Sequence, residues 1–311
     1  GDLPWYSKAL TPEEQNELMQ PRLPRTEIVD NILADLDGAI LNLSPRSSTG
    51  NLRINKEVAL TFKSRVALYE GTWQKYHANT PFGTSGANPN TYFQACVSAS
   101  EELISGNYEV GIHNTGNPDQ DYYELFGLVN MSDIGEVLLY RSYNVDDGFG
   151  NHVQHFTTEN PNGYGVTFEL VSMYLSKDGT PYDYLGLADT AKGNAFLTNI
   201  AENCDSRLKS TVWIPGDLRA ARYDRYFDKP WIDQSAVRLC PTGFQVKKTS
   251  DPNSPVAGGD FANQSNTGYI IFRYAEVILN YAEALYELNQ TVAYDQLNLL
   301  RERVGLPDFF I

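Results

Sequence analysis

Apolar residues recur at spacings of three and four along both ends of this chain and at no fixed spacing through its middle. That division restricts the fold more than any other feature, because an amphipathic helix must bury its stripe against a partner. After Pro24, residues Ile28, Ile32, Leu36, Ile40 and Leu43 follow at intervals of 4, 4, 4 and 3, with Thr26 placed to cap the helix they imply. Pro45 and Ser47-Ser48-Thr49-Gly50 then break it. Asn55 can cap a second helix, on which Ala59, Phe62, Val66, Tyr69 and Trp73 recur at 3, 4, 3 and 4, so Trp73 is expected in the core. The two should pack as an antiparallel pair. A third helix is expected over 92–103 and a shorter one over 121–129. Near the end, 273–288 places Ala275, Ile278, Ala282 and Leu285 on one face, and 292–304 turns Ala293, Leu297 and Leu300 inward before Gly305 and Pro307 stop it. This last pair, alternating small and large residues, is like a tetratricopeptide unit, although no strict period of about 34 residues repeats.

The middle has a different texture. Residues 136–140, centred on Val137-Leu138-Leu139, read as a short strand, and 142–165 is rich in Asn, Asp and Gly. Turns are marked at Asp178-Gly179-Thr180-Pro181, at Pro215-Gly216 and over 252–259. Interleaved with them are Phe149, Phe156, Tyr164, Tyr182, Tyr184, Trp213, Tyr226, Phe227 and Trp231. Long loops in a compact domain are usually functional. The expected fold is therefore mostly α, helical towards both ends, with a loop-rich middle and a few short strands. The length allows one large domain or two small ones, with helical segments at about 26–129 and 269–305 and a loop-rich stretch at about 130–268.

Charge and motif content exclude several functions. The net charge of −15 offers no basic footprint for nucleic acid and no attraction to anionic lipid. No apolar run of about 18 residues is present to span a bilayer. Cys96, Cys204 and Cys240 are far apart without CxxC spacing, which excludes a zinc ribbon or a thioredoxin site and leaves buried free thiols as the simplest reading. His152-x-x-His155 near Asp146-Asp147 suggests a metal, but the surrounding Asn and Gly argue for solvated loop side chains; no metal and no cofactor is expected. Hydrolase elbows, zincin helices, P-loops and dinucleotide fingerprints are all missing, and Glu13-Glu14 and Glu101-Glu102 read as exposed helix charges.

Local sequence adds a resemblance. Tyr269-Ile-Ile-Phe-Arg273-Tyr-Ala-Glu-Val-Ile-Leu-Asn280-Tyr-Ala-Glu-Ala284 resembles the signature helix of the SusD/RagB family, and Leu297-Asn298-Leu299-Leu300-Arg301 with Gly305-Leu306-Pro307 its following helix and stop. Gly1-Asp2-Leu3-Pro4, Asp35-Leu36-Asp37-Gly38-Ala39, Arg53-Ile54-Asn55-Lys56, Arg65-Val66-Ala67-Leu68-Tyr69, Lys177-Asp178-Gly179 and Asp205-Ser206-Arg207-Leu208 with Pro215-Gly216 follow the family's order, so the likeness spans nearly the whole chain. Ser206 stands where the family usually has Pro, which loosens the turn but keeps Asp205 and Arg207. Members are longer, begin with a signal peptide and a lipidated cysteine, and continue beyond this chain's last residue. None of the three cysteines matches that anchor, so the resemblance implies an internal piece or a member lacking both ends. It further implies a single, mostly α domain over 1–311 in which tetratricopeptide-like helix pairs, at about 26–129 and 269–305, support a loop-rich ligand-binding region at about 130–268, and an outer-membrane, cell-surface lipoprotein of Bacteroidetes that binds glycans or other nutrients without chemistry and passes them to a TonB-dependent SusC-like transporter. Two other classes remain open: a helical-repeat scaffold for a partner protein or peptide, and an α-helical glycoside hydrolase.

Sugar capture needs flat apolar faces beside convergent hydrogen-bond groups. The richest cluster is Tyr223-Asp224-Arg225-Tyr226-Phe227 running to Trp231, from which Asp224, Arg225, Tyr226 and Trp231 are the first candidates. Tyr182 and Tyr184, after a turn, come second, and Asn162 with Tyr164 third. The competing structural role for Tyr226 and Trp231 is to roof the core beneath the loop.

Overall fold

The computed structural model describes residues 2–233, 237–259 and 261–309; Gly1, the head of the expected N-terminal loop, and the final residues 310–311 lie outside them. In chain order the helices are α1 (Gln15–Leu18), α2 (Arg25–Asn42), α3 (Arg46–Thr49), α4 (Lys56–Tyr76), α5 (Pro89–Ser105), α6 (Asp121–Gly127), α7 (Val153–Thr158), α8 (Phe168–Val171), α9 (Phe196–Asn203), α10 (Ser206–Thr211), α11 (Tyr274–Asn289) and α12 (Tyr294–Glu302). The strands are β1 (Val137–Arg141), β2 (Leu218–Ala220), β3 (Arg225–Tyr226) and β4 (Tyr269–Arg273), paired β1 with β4 and β2 with β3. The fold is thus mostly α with a few short strands, as the sequence predicts. The chain divides into two compact units: Gly1–Val110 with Phe272–Ala293, and Gly111–Ile271 with Tyr294–Ile311.

In the first unit α4 packs against α2, α5 and α11. Its start follows the sequence: the Asn55 side chain accepts the Val58 N–H at 3.0 Å, satisfying a donor the helix leaves open. The start of α2 does not. That helix begins at Arg25 with Pro24 as N-cap, and its first N–H donates to Asp2 Oδ1 at 2.9 Å, so Thr26 lies inside the first turn. The buried face of α4 also differs from the expected stripe. Leu60, Ser64, Ala67, Gly71 and Gln74 are buried, whereas Phe62 and Tyr69 are exposed and Trp73 is half-buried. Small residues win this face because neighbouring helices approach closely. A Cβ on Gly71 would stand 2.7 Å from the Phe93 ring, and Asn280 Nδ2 donates to Ser64 Oγ at 3.0 Å. Trp73 stacks on His77 at 3.9 Å, with the Arg25 guanidinium 4.4 Å from its ring centre. Ala67, Phe93, Cys96, Val97 and Ala284 form the core between α4, α5 and α11.

The second unit is less irregular than its composition suggests. The stretch expected as loops contains α7, α8, α9 and α10, each of eight residues or fewer. Helices that short do not repeat a 3.6-residue pattern often enough to be seen. Their core is built on Trp213, Phe227, Ile200, Leu208 and Val212. Trp213 stacks on Phe227 with ring centres 6.0 Å apart, and its Nε1–H donates to Thr157 O at 2.6 Å, which satisfies its one polar group. A second cluster joins Leu125, Phe126, Met131, Val137 and Tyr140. Buried Arg303 donates through Nη1 to Glu136 at 2.9 and 3.0 Å, and the His113 N–H donates to the same carboxylate. The helices expected to form the terminal pair fall in different units: α11 packs with α4 and α5 in the first, while α12 belongs to the second. Cys96, Cys204 and Cys240 are free and buried.

Candidate ligand-binding site

The second unit carries the site, and its scaffold is the β2–β3 hairpin. The strands run antiparallel, Leu218 opposite Tyr226 and Ala220 opposite Arg225, with a bulge between Leu218 and Ala220. Asp224 turns the chain at φ 46°, a left-handed conformation that Asp tolerates better than most residues. Its place in the sequence cluster is therefore first of all conformational. Beyond the turn, alternation directs Tyr226 outward, 55 % exposed, and Phe227 into the core.

The hairpin brings arginines together on one carboxylate. Glu159, buried just past the end of α7, is ion-paired with Arg225 and, at 2.8 Å, with Arg238. Arg219 donates to the Glu159 backbone carbonyl at 3.3 Å. Arg225 also donates to Gly258 O at 2.9 Å, and the Arg238 guanidinium sits 5.4 Å from the Trp231 ring centre. These groups surround a cavity of about 290 Å³, which Tyr226, Asp228, Lys229 and Gln245 also line. Arg219 is 9 % exposed and Gln245 2 % exposed, yet Arg219 Nε and Gln245 Nε2 have no hydrogen-bond partner. An unsatisfied buried donor costs about 1–3 kcal/mol. Desolvation depresses Arg219 to about 10, and the neighbouring charges of Arg225 and Arg238 act in the same direction while Glu159 opposes them.

Of the residues expected from sequence, Arg225, Tyr226 and Trp231 meet at this cavity. The Asn162–Tyr164 turn is tied to the segment that carries Arg238. Asn162, at φ 50°, donates its N–H to Val237 O at 2.9 Å, and Gly163 donates to Leu239 O at 2.8 Å. Tyr164 is 66 % exposed, edge-on to Phe156. Tyr182 is half-buried, its hydroxyl donating to Asn199 Oδ1 at 2.7 Å. Tyr184 is a correction: it is 7 % exposed and packed in the Trp213 core, its hydroxyl 3.1 Å from Tyr174 O and 3.2 Å from Cys204 Sγ. It is a core residue because its ring completes the apolar cluster and its hydroxyl finds an internal acceptor. Sequence reading missed Glu159, Arg219, Asp228, Lys229, Arg238 and Gln245. Asp228 and Lys229 lay inside the cluster already singled out; the rest carry no local signal and meet only through tertiary pairing.

A larger cavity of about 570 Å³ opens beside Tyr123 and Lys247. Two pairs of its polar groups are joined internally, Lys247 with Asp217 at 2.8 Å and Tyr123 with Ser250 at 2.8 Å, and Gln120, Glu124, Asp251 and Asn253 also line it. His152 and His155 are half-buried at the start of α7 and not in a solvated loop. Among the described residues no three His, Cys, Asp or Glu side chains are grouped to hold a metal, and no helix is long and apolar enough to cross a membrane.

Comparison with known proteins places these features in context. A family model describing the SusD family matches residues 135–309. No curated protein matches the chain. Among solved structures, a SusD-like protein from Bacteroides fragilis is 25 % identical, with a TM-score of 0.74 over 100 % of this chain and 58 % of its own. A SusD-like carbohydrate-binding protein from the same species is 20 % identical, with a TM-score of 0.72 over 100 % and 56 %. A laminarin-binding SusD-like protein is 17 % identical, with a TM-score of 0.55 over 99 % and 60 %. The chain therefore spans somewhat more than half the length of each.

Proposed function

This chain belongs to the SusD family, and from that premise we propose that it captures glycans or related nutrients without chemically altering them, at the cavity beside Trp231, Tyr226 and Arg225. The observation that carries the reading is the meeting, in one cavity, of two aromatic side chains with two buried N–H groups, Arg219 Nε and Gln245 Nε2, that lack acceptors. A pyranose presents an apolar C–H face to an aromatic ring and hydroxyl acceptors to N–H donors. Removing about 60–100 Å² of that face from water contributes about 1.5–2.5 kcal/mol. Similar structures of a carbohydrate-binding and a laminarin-binding protein support the same class of ligand.

In this reading 130–268 is the binding region and 26–129 with 269–305 the helical frame. Asp224 shapes the hairpin turn, Asn162, Tyr164 and Tyr182 extend the surface at its margin, and Tyr184 supports it from the core. The full-length protein would sit lipid-anchored on the outer face of the outer membrane and pass its ligand to a SusC-like TonB-dependent transporter.

Isothermal titration against a glycan panel tests the assignment. Trp231→Ala is expected to weaken binding roughly 10- to 60-fold while circular dichroism is unchanged. Binding untouched by the combined loss of Trp231, Tyr226 and Tyr164 would reject this site. Reducing-sugar release abolished by one Asp or Glu substitution would reject the non-catalytic reading.

A further inference from the structure

Charge at the cavity points to a narrower ligand class. Four cationic side chains line it, Arg219, Arg225, Arg238 and Lys229, against two carboxylates, Glu159 and Asp228. An excess of cations in so small a space is unexpected in a chain whose net charge is −15. Arg219 is buried, while Arg225, Arg238 and Lys229 are exposed, so their charge is within reach of an incoming ligand. Here Glu159 is shared between Arg225 and Arg238, and Arg219 reaches only its backbone carbonyl. Arg219 Nε and Gln245 Nε2 add two buried N–H donors without acceptors. The buried unmet groups, Arg219 Nε and Gln245 Nε2, are both donors, and the exposed lining adds the Lys229 ammonium and the Asp228 carboxylate. A neutral sugar hydroxyl supplies acceptor and donor together and leaves the charge uncompensated. An anionic oxygen pair supplies acceptors and charge at once, and guanidinium groups match it in geometry.

We propose that this cavity selects glycans bearing an anionic substituent, a uronic carboxylate or a sulfate ester, with Arg238, Arg225 and Arg219 receiving the anion and Trp231 and Tyr226 the sugar ring. The proposal deepens the glycan-binding reading and rests on it. Burial holds Arg219 and Gln245 in place, so the donors are arranged before the ligand arrives.

Calorimetry at one fixed salt concentration tests it with oligogalacturonate and its carboxyl-reduced counterpart, and with sulfated dextran and plain dextran. The expected result is that at least one acidic member binds about tenfold or more tightly than its neutral partner. Which pair shows the preference distinguishes carboxylate from sulfate. Arg238→Gln should weaken binding of the acidic member by a larger factor than binding of its neutral partner, and Arg238→Lys should restore part of that difference. Equal or tighter binding of the neutral partners overturns the anionic selectivity but spares glycan capture. No binding to these or to any neutral glycan overturns both. A preference that survives Arg238→Gln combined with Arg225→Gln overturns this cavity as its origin.

Discussion

Cys96 packs among Ala67, Phe93 and Ala284, where burial pushes its thiol up to about 12, and burial raises Cys204 and Cys240 as well. A thiol at about 12 is ionised to about one part in ten thousand at pH 8, and only the thiolate attacks. An aromatic disulfide reagent should therefore release almost no thiolate from the native protein at pH 8 and the equivalent of three after unfolding; fast native reaction of any thiol would contradict the packing. Glu136 and Arg303 make the complementary case for charge. Both are buried, and the carboxylate accepts hydrogen bonds from Arg303 Nη1 and the His113 N–H among its partners. Arg303→Met removes one cation from buried Glu136 and should cost about 1.5–3 kcal/mol in urea unfolding, the worth of a charge-assisted hydrogen bond. An Arg303→Met protein as stable as the parent would overturn the contribution assigned to this pair.

Two glycines inside helices separate intrinsic propensity from packing. Gly38 in α2 has nothing within 4 Å of where a Cβ would stand, so Gly38→Ala should gain about 1 kcal/mol from reduced backbone freedom. Gly71 in α4 has the same propensity gain available, but its Cβ would meet the fully buried Phe93 ring at 2.7 Å. Overpacking of about 1–3 kcal/mol should outweigh the gain, so thermal melts should rise for Gly38→Ala and fall for Gly71→Ala. The same close approach explains what was legible in the sequence and what was not. Asn55 as a cap, the course of α5 and of β1, and the stop at Gly305 were readable because each rests on local chemistry. The buried face of α4 was not, because a search for large apolar residues selects Phe62 and Tyr69 and passes over Ser64, Ala67 and Gly71. Similarly, Arg225, Tyr226 and Trp231 were legible as one run of sequence. Glu159, Arg219 and Arg238 were not, because the β2–β3 hairpin, the end of α7 and the backbone pairing of Asn162 with Val237 bring them together.

At the scale of the whole chain, a net charge of −15 coexists with a cavity in which cations outnumber carboxylates. The two act at different ranges. Far from the surface an acidic oligosaccharide meets the net charge and is repelled; within hydrogen-bond distance it meets guanidinium groups. Salt separates these contributions, since the screening length falls from about 30 Å at 0.01 M to about 8 Å at 0.15 M. Long-range repulsion is then largely removed, while contacts in a partly buried cavity are screened much less. Association of an oligogalacturonate should therefore become several-fold faster between about 0.01 M and 0.15 M salt. A neutral oligosaccharide should associate at a rate independent of salt. Stopped-flow tryptophan fluorescence, with Trp231 at the cavity as reporter and Trp231→Phe as control, measures both. If the acidic ligand instead associates more slowly as salt is added, the cations around Glu159 govern its approach from a distance, and the chain's acidity is arranged away from the path the ligand takes.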